Sequence, residues 1–247
     1  MFTFRELAGA LGAEQPVLAF TAVGADGEEA PKQSVGDIAA AYQAEIEARG
    51  TKGPLFVGGY SFGALVAFEL AHRLRPRGVD VRGIVAFDAF APGFPERMPP
   101  VERALAHVRE LAARDLRGRA AYLAERANNV RRRVLFRFGL GHRLAPKVGG
   151  DQELERRMQA VWAASMNARG AYQPSYTDPG PLLLFVAGEP YRWPATRVPD
   201  ATLGWRNFVS GRVDVVTLAG PHLQLFAADN VPRMATHLRR FLDGKAP

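Results

Sequence analysis

Cysteine is absent from the 247-residue chain, which excludes a disulfide framework, a thiolate metal site and a cysteine nucleophile. Long hydrophobic runs are absent as well, since no stretch approaches the ~20 apolar residues that a membrane-spanning helix requires. Near the N-terminus, Arg5 and Glu6 interrupt the apolar stretch that a signal peptide would need. We therefore expect a cytoplasmic protein that does not bind membranes.

Lysine is scarce, with four residues against twenty-eight arginines, and the formal net charge is +7. A net positive field attracts acidic partners and raises their association rates. Nucleic acid is not an expected partner, because the chain has no zinc-ligand spacing, no Arg/Gly repeat and no aromatic RNA-binding signature. Acidic residues are missing between positions 126 and 150, where all the charged residues are basic: Arg126, Arg131, Arg132, Arg133, Arg137, Arg143 and Lys147.

The length and composition indicate a single globular domain. Hydrophobic residues make up 47% of the chain and charged residues 23%, which excludes a wholly disordered or fibrous protein. Single α/β domains of about 250 residues are common. We therefore expect residues 1–247 to form one domain.

Five short apolar runs predict buried strands, because continuous hydrophobicity is typical of strands covered on both faces. They comprise residues 16–20, 55–57, 84–87, 182–186 and 213–216. Apolar residues at helical spacing occur between and after them, over 34–46, 64–74 and 231–242. The alternation of strand and helix predicts an α/β fold with a mostly parallel sheet and helices on both faces.

The alternation is interrupted over residues 93–169. Proline-rich turns open this segment, and apolar residues then recur at helical spacing. A block of this length is too long for a plain connection between two core strands. We interpret it as an inserted helical lid.

The strand at 55–57 is followed by Gly59-Tyr60-Ser61-Phe62-Gly63 and then by a helical pattern. This is the G-x-S-x-G nucleophile elbow in the strand–turn–helix context that the motif requires. Side chains two residues either side of the serine would collide with the neighbouring backbone, so only glycine is expected to fit at 59 and 63. The turn places the Ser61 hydroxyl over a helix N-terminus, where the helix dipole and free N–H groups stabilise developing negative charge.

A serine nucleophile needs a base, and His222 is the best placed of the five histidines. It follows the strand pattern of 213–218 in a short loop, late in the chain and at the carboxyl edge of the predicted sheet. The order serine, acid, histidine is that of α/β-hydrolases. The other four histidines lie in helical patterns or in the insertion and are expected on the solvated surface: His72, His107, His142 and His237.

Two carboxylates are placed to orient that histidine. Asp88 directly follows the strand at 84–87, and Glu189 follows the later strand at 182–186. Both come at the carboxyl edge of the predicted sheet, so the pattern of residues leaves both open.

These motifs resemble the thioesterase domains that release products from polyketide, nonribosomal peptide and fatty acid synthases. The resemblance covers nearly the whole chain and lies chiefly in residues 58–64, 67–71, 85–88 and 220–222. In those release domains the acid typically follows the strand after the elbow helix, which favours Asp88 over Glu189. The helical insertion corresponds to the family's lid.

The resemblance implies attack by Ser61, with His222 as base and Asp88 as orienting acid, on an acyl thioester held by the phosphopantetheine of an acyl or peptidyl carrier protein. The backbone N–H of Phe62 serves in the oxyanion hole, and water or an internal nucleophile resolves the acyl-enzyme. No metal or redox cofactor is implied. A small-molecule esterase on the same fold and a catalytically impaired carrier-binding remnant are the alternatives. Such carriers are usually acidic, so the basic stretch at 126–147 is interpreted as a surface that docks one.

The chain departs from the family pattern at its N-terminus. The family opens with a strand and a Gly-rich loop that supplies the second oxyanion donor, whereas residues 1–7 already correspond to the following helix. We therefore expect poor thioester hydrolysis unless an upstream segment is present. We also expect the strand predicted at 16–20 to have an unpaired side, which favours self-association into a homo-oligomer.

Overall fold

The computed structural model describes residues 4–51, 53–138, 140, 144, 152–189, 196–197 and 200–246. Its strands are β1 (Leu55–Tyr60), β2 (Val81–Phe87), β3 (Glu96–Arg97), β4 (Leu182–Glu189), β5 (Thr196–Arg197) and β6 (Val213–Pro221). Its α-helices are α1 (Arg5–Leu11), α2 (Val35–Ala48), α3 (Phe62–Leu74), α4 (Pro100–Ala112), α5 (Leu116–Arg137), α6 (Gln152–Ala171) and α7 (Val231–Leu242). None of the helices within those ranges is long and apolar enough to cross a membrane.

The central sheet has four parallel strands in the order β1-β2-β4-β6. β3 and β5 form a separate antiparallel pair. All residues of β2 except Arg82 are buried, and so are the first four residues of β4. This burial agrees with the continuous apolar runs, since a central parallel strand is covered on both faces. The α/β architecture and four of the five predicted strands are therefore confirmed.

Helices cover both faces of the sheet, and the side chains of β4 alternate between two hydrophobic cores. Leu182 and Leu184 pack with the α2 and α3 side, where Phe68 is fully buried. Leu183 and Phe185 pack with the opposite side, formed by residues of α1 and α7. Successive side chains of a strand point to opposite faces, so one apolar run supplies both cores.

The helices predicted from apolar spacing are present as α2, α3 and α7. The Ser34 hydroxyl accepts a hydrogen bond of 3.0 Å from the Asp37 N–H and so caps the start of α2. The segment predicted as an insertion contains α4, α5 and α6. Its residues His142, Arg143 and Lys147 lie outside the described part of the chain.

The strand predicted at 16–20 is wrong. These residues have no regular secondary structure, and Val17 and Leu18 are exposed. Among the described residues no backbone hydrogen bond joins this segment to the sheet, in which β1 is an edge strand. An apolar run becomes a strand only when a neighbouring strand pairs with its backbone groups. Phe20 packs instead on the ring of Tyr42, with centroids 4.4 Å apart.

A buried ion pair joins the end of α3 to the loop before β4. The Arg75 guanidinium donates two hydrogen bonds of 3.1 Å to the Asp178 carboxylate, and a further one to the carbonyl of Val81. The Asp178 side chain is 1% exposed and also accepts the Gly180 N–H at 2.8 Å. The pair therefore ties the end of α3 to the start of β2 and to the loop before β4.

We predict that Asp178→Ala lowers the free energy of unfolding by about 3–5 kcal/mol, because it leaves the partly buried Arg75 guanidinium without its carboxylate. Urea or thermal unfolding measures the change. The matched control is Asp80→Ala, which removes an exposed partner of Arg82 at 3.0 Å and should cost about 0–1 kcal/mol. Equal losses in the two variants would contradict the structural role of the buried pair.

Candidate active site

The elbow between β1 and α3 holds Ser61 in a strained backbone conformation. Its φ is 52° and its ψ is −118°, a region that non-glycine residues rarely occupy. The Ser61 N–H donates to the carbonyl of Phe87 at 2.9 Å, which ties the turn to β2. Strain of this kind persists where the surrounding structure enforces it, and it clusters at functional sites.

Only one of the two glycines of the motif is sterically required. A Cβ added to Gly59 would lie 2.1 Å from the carbonyl carbon of Gly63, so a side chain at this position would collide with α3. A Cβ added to Gly63 would meet no atom within 4 Å. The prediction is therefore correct for Gly59 and wrong for Gly63, because the close approach occurs on the strand side of the turn.

His222 and Asp88 meet at the carboxyl edge of the sheet. The His222 Nδ1 lies 2.6 Å from Asp88 Oδ2, and the other carboxylate oxygen accepts the N–H of Ala187 at 2.9 Å. Asp88 has a positive φ of 46°, and its own N–H donates to the carbonyl of Phe185 at 2.7 Å. Backbone bonds to β4 thus fix the carboxylate that holds the imidazole.

Glu189 occupies a different position. It ends β4, where its backbone pairs in register with Pro221, and its side chain is exposed. Within the described residues its carboxylate makes no hydrogen bond. The structure therefore brings the carboxylate of Asp88, and not that of Glu189, to His222.

Tyr60 links the elbow to His222. Its ring stacks on the imidazole with centroids 4.7 Å apart and an interplanar angle of 21°. Its hydroxyl donates a hydrogen bond of 2.8 Å to the backbone carbonyl of His222. Burial and the nearby charge of Asp88 raise the pKa of Tyr60 to about 12, so the hydroxyl stays protonated as a donor at neutral pH.

Two buried side chains, Asn230 and Trp205, hydrogen-bond to the backbone of the loops that carry His222 and Asp88. The buried Asn230 donates to the carbonyls of Ala219 and Leu225, at 2.8 and 3.1 Å, on either side of His222. The fully buried Trp205 donates from Nε1 to the carbonyl of Ala89 at 2.8 Å, next to Asp88. Buried polar groups that are satisfied in this way restrict the loops to one conformation.

Phe62 is the first residue of α3, so its backbone N–H has no acceptor within the helix. Among the described residues this N–H has no other backbone acceptor, and it lies directly after Ser61 at the positive end of the helix dipole. No hydrogen bond joins the Ser61 hydroxyl to another described residue. Residues 1–3, on which the predicted gap in the oxyanion hole depends, lie outside the described residues.

Sequence reasoning missed Tyr60, Asn230 and Trp205 as contributors to the site. Tyr60 stands at a variable position of the motif, and no short-range signal marks the other two. His72, His107 and His237, which were predicted on the solvated surface, are partly buried. His72 stacks on the ring of Tyr176 at 3.5 Å, and the Nδ1 of His237 is buried without a hydrogen-bond partner among the described residues.

Comparison with curated proteins relates the chain to large synthases. The nonribosomal peptide synthetase atrA of Aspergillus terreus is 26% identical over 94% of this chain and 26% of its own length. The erythronolide synthase EryA3 of Saccharopolyspora erythraea is 40% identical over 38% of this chain and 3% of its own length. The chain thus spans about a quarter or less of the length of the curated relatives that it matches.

Solved structures share the fold. The thioesterase RedJ, from the prodiginine pathway of Streptomyces coelicolor, superposes with a TM-score of 0.61 at 23% identity, covering 96% of this chain and 79% of that one. A family model described as the thioesterase domain matches residues 2–242. Because this match covers nearly the whole chain, the chain belongs to the thioesterase domain family, on the α/β-hydrolase fold.

Proposed function

We propose that this domain releases an acyl or peptidyl chain from the phosphopantetheine thioester of a carrier protein, with Ser61 as nucleophile. The observation that carries the proposal is the 2.6 Å contact between His222 Nδ1 and Asp88 Oδ2 beside the strained elbow. The curated relatives are synthases, which agrees with a carrier-bound substrate. We assign the activity to the cytoplasm as part of the same proposal.

In the proposed reaction the His222 Nε2 accepts the proton of the Ser61 hydroxyl as Oγ bonds to the thioester carbon. Asp88 holds the Nδ1–H and stabilises the imidazolium that forms. The tetrahedral oxyanion accepts a hydrogen bond from the Phe62 N–H at the positive end of α3. Collapse breaks the C–S bond, and the leaving thiolate takes the proton from His222.

The acyl group then rests on Ser61 as an ester. Water, or a hydroxyl or amine of the acyl chain itself, gives its proton to His222 and attacks the same carbon. Collapse of this second tetrahedral intermediate breaks the bond between the carbon and Oγ, and His222 returns the proton to Ser61. Hydrolysis and cyclisation thus use the same side chains and differ only in the attacking group. The proposed chemistry needs neither a metal nor a redox cofactor, because every proton is moved by His222.

The first prediction is that a fluorophosphonate labels Ser61. In the proposed reaction His222 activates this hydroxyl, so it should react with the phosphorus centre that mimics the tetrahedral state. Mass spectrometry of the tryptic adduct identifies the residue. Labelling of another residue, or unchanged labelling of Ser61→Ala, would overturn the proposal.

The second prediction concerns which carboxylate, Asp88 or Glu189, orients His222. Asp88→Asn should lower kcat by about 10⁴-fold, the loss seen in a serine protease, because an amide cannot hold the imidazole in the required tautomer. Glu189→Gln is the matched control and should leave kcat within about 3-fold of the wild type, since an exposed group without buried partners contributes little. Steady-state hydrolysis of an acyl-pantetheine thioester measures both. A larger loss of kcat in Glu189→Gln than in Asp88→Asn would instead assign the orienting role to Glu189 at the end of β4.

The third prediction tests Tyr60 as a positioning residue for His222. Tyr60→Phe keeps the stacked ring but loses the hydrogen bond to the His222 carbonyl, so kcat should fall about 2- to 10-fold. Tyr60→Leu also removes the ring on which the imidazole stacks, so kcat should fall further than in Tyr60→Phe while KM stays unchanged. With a pKa of about 12, Tyr60 itself should produce no transition below pH 10.

The control for Tyr60→Phe is Tyr42→Phe. Tyr42 also donates its hydroxyl to a backbone carbonyl, that of Thr21 at 3.2 Å, but it lies on α2 and outside the site. A loss of kcat in Tyr42→Phe equal to that in Tyr60→Phe would show that Tyr60 supports the fold and does not position the base.

A further inference from the structure

The net charge of the chain is concentrated in one helix. α5 contains seven arginines and one glutamate, a net of +6, whereas the whole chain carries +7. The rest of the chain is therefore close to neutral. Arg117 and Arg131 are exposed, and neither forms an ion pair with another described residue. Because the positive charge lies mainly on α5, its electrostatic field steers an acidic partner toward this helix and not toward the rest of the surface.

The same helix exposes a line of large apolar side chains. Leu116, Leu123 and Val130 follow one another at intervals of seven residues, Val134 comes four residues later, and Phe138, directly after the end of the helix, four residues later again. These spacings put them along one face, which we call the α5 stripe. All five are exposed, Leu116 by 81% and Phe138 by 71%. A contiguous exposed apolar patch on a protein surface is typical of an interaction site.

α5 packs against α4 through polar contacts, which leaves the apolar faces outward. His107 of α4 hydrogen-bonds the buried Tyr122 of α5. Glu110 of α4 pairs at 2.8 Å with Arg114, whose guanidinium also lies 5.1 Å from the centroid of the Tyr122 ring. A pair of helices that folded only for its own stability would bury its apolar residues between them. The α5 stripe therefore has no partner within the described part of the chain.

The pair of helices is attached at the catalytic edge of the sheet. α4 begins twelve residues after Asp88, and the backbone in between starts from the loop that Trp205 holds. α5 is thus joined to the loop that carries Asp88 through α4. Such a position suits a partner that must deliver a thioester on a flexible arm.

We infer that the α5 stripe, with Arg117 and Arg131 beside it, is the docking surface for an acidic carrier protein; the inference rests on the proposed function. Charge complementarity selects this occupant. A second copy of the chain would bring a second +6 helix against the first, which like-charge repulsion opposes. A nucleic acid would use the arginines but not the apolar line, since its outer surface is phosphate.

Binding is measured directly, so that the test does not depend on catalysis. The probe is the fluorescently labelled acyl carrier protein of a bacterial fatty acid synthase, an acidic carrier, titrated into Ser61→Ala protein at low salt. We expect saturable binding that weakens at least ~10-fold in Arg117→Glu/Arg131→Glu, because reversed charges repel the carrier. The difference should vanish near 1 M salt, where the screening length is about 3 Å.

Two further variants separate local from general effects. Arg82→Glu/Arg233→Glu changes the net charge equally, at exposed positions on β2 and α7, and should bind the carrier like the parent. Leu123→Gln/Val130→Gln should weaken binding at both salt concentrations, because burial of apolar surface is not screened. Circular dichroism of each variant checks that α5 remains folded.

Three results would overturn the inference. Equally weakened carrier binding in Arg117→Glu/Arg131→Glu and in Arg82→Glu/Arg233→Glu would show that only the net charge of the protein matters. The parent protein could instead sediment with phosphatidylglycerol vesicles and fail to bind the carrier. If Leu123→Gln/Val130→Gln also abolished this sedimentation, the α5 stripe would be assigned to a membrane. A dimer of the parent protein that dissociates in the same variant would assign it to a second copy. Failure of fluorophosphonate labelling at Ser61 would contradict the proposed function, whereas the measured binding of the carrier to α5 would still stand.

Discussion

The close approach of Gly59 to the first turn of α3 is the constraint on which the site depends. Because no side chain stands at Gly59, the helix begins directly above the end of β1, and the chain turns through a single residue with positive φ. That turn places the Ser61 hydroxyl and the Phe62 N–H side by side at one helix terminus. It also buries α3 against the sheet, where Phe68 and Leu74 join the larger core. One steric requirement thus serves both packing and chemistry.

The parallel sheet brings the remaining groups to the same edge. Asp88 follows β2 and His222 follows β6, and β4 lies between those two strands. The carboxylate has to reach across the end of β4, and it does so with one oxygen bonded to the N–H of Ala187 and the other beside His222. The intervening strand is therefore a support for the carboxylate and not merely a spacer. A positive φ at Asp88 turns the chain at this point.

Local patterns were sufficient for the parts of the fold that are local. The elbow, the continuous apolar strands and the helix that starts after Ser34 each have a signal within a few residues. The segment 16–20 failed because its apolar run does not reveal whether a neighbouring strand is available to pair with it. The choice between Asp88 and Glu189 depended on which strand end reaches His222, a property of sheet order. Tyr60 was missed because the motif constrains its glycines and serine but says nothing about the residue between them.

The arginine content of α5 has a consequence for regulation. Guanidinium groups stay protonated across the whole physiological pH range, so the charge of this helix does not change with pH. Acetylation acts on lysine, and α5 has none, because the four lysines of the chain are Lys32, Lys52, Lys147 and Lys245. The positive field of α5 is therefore a fixed quantity that only dissolved ions attenuate. The distance over which α5 attracts an acidic partner is therefore set by ionic strength, and not by pH or lysine modification.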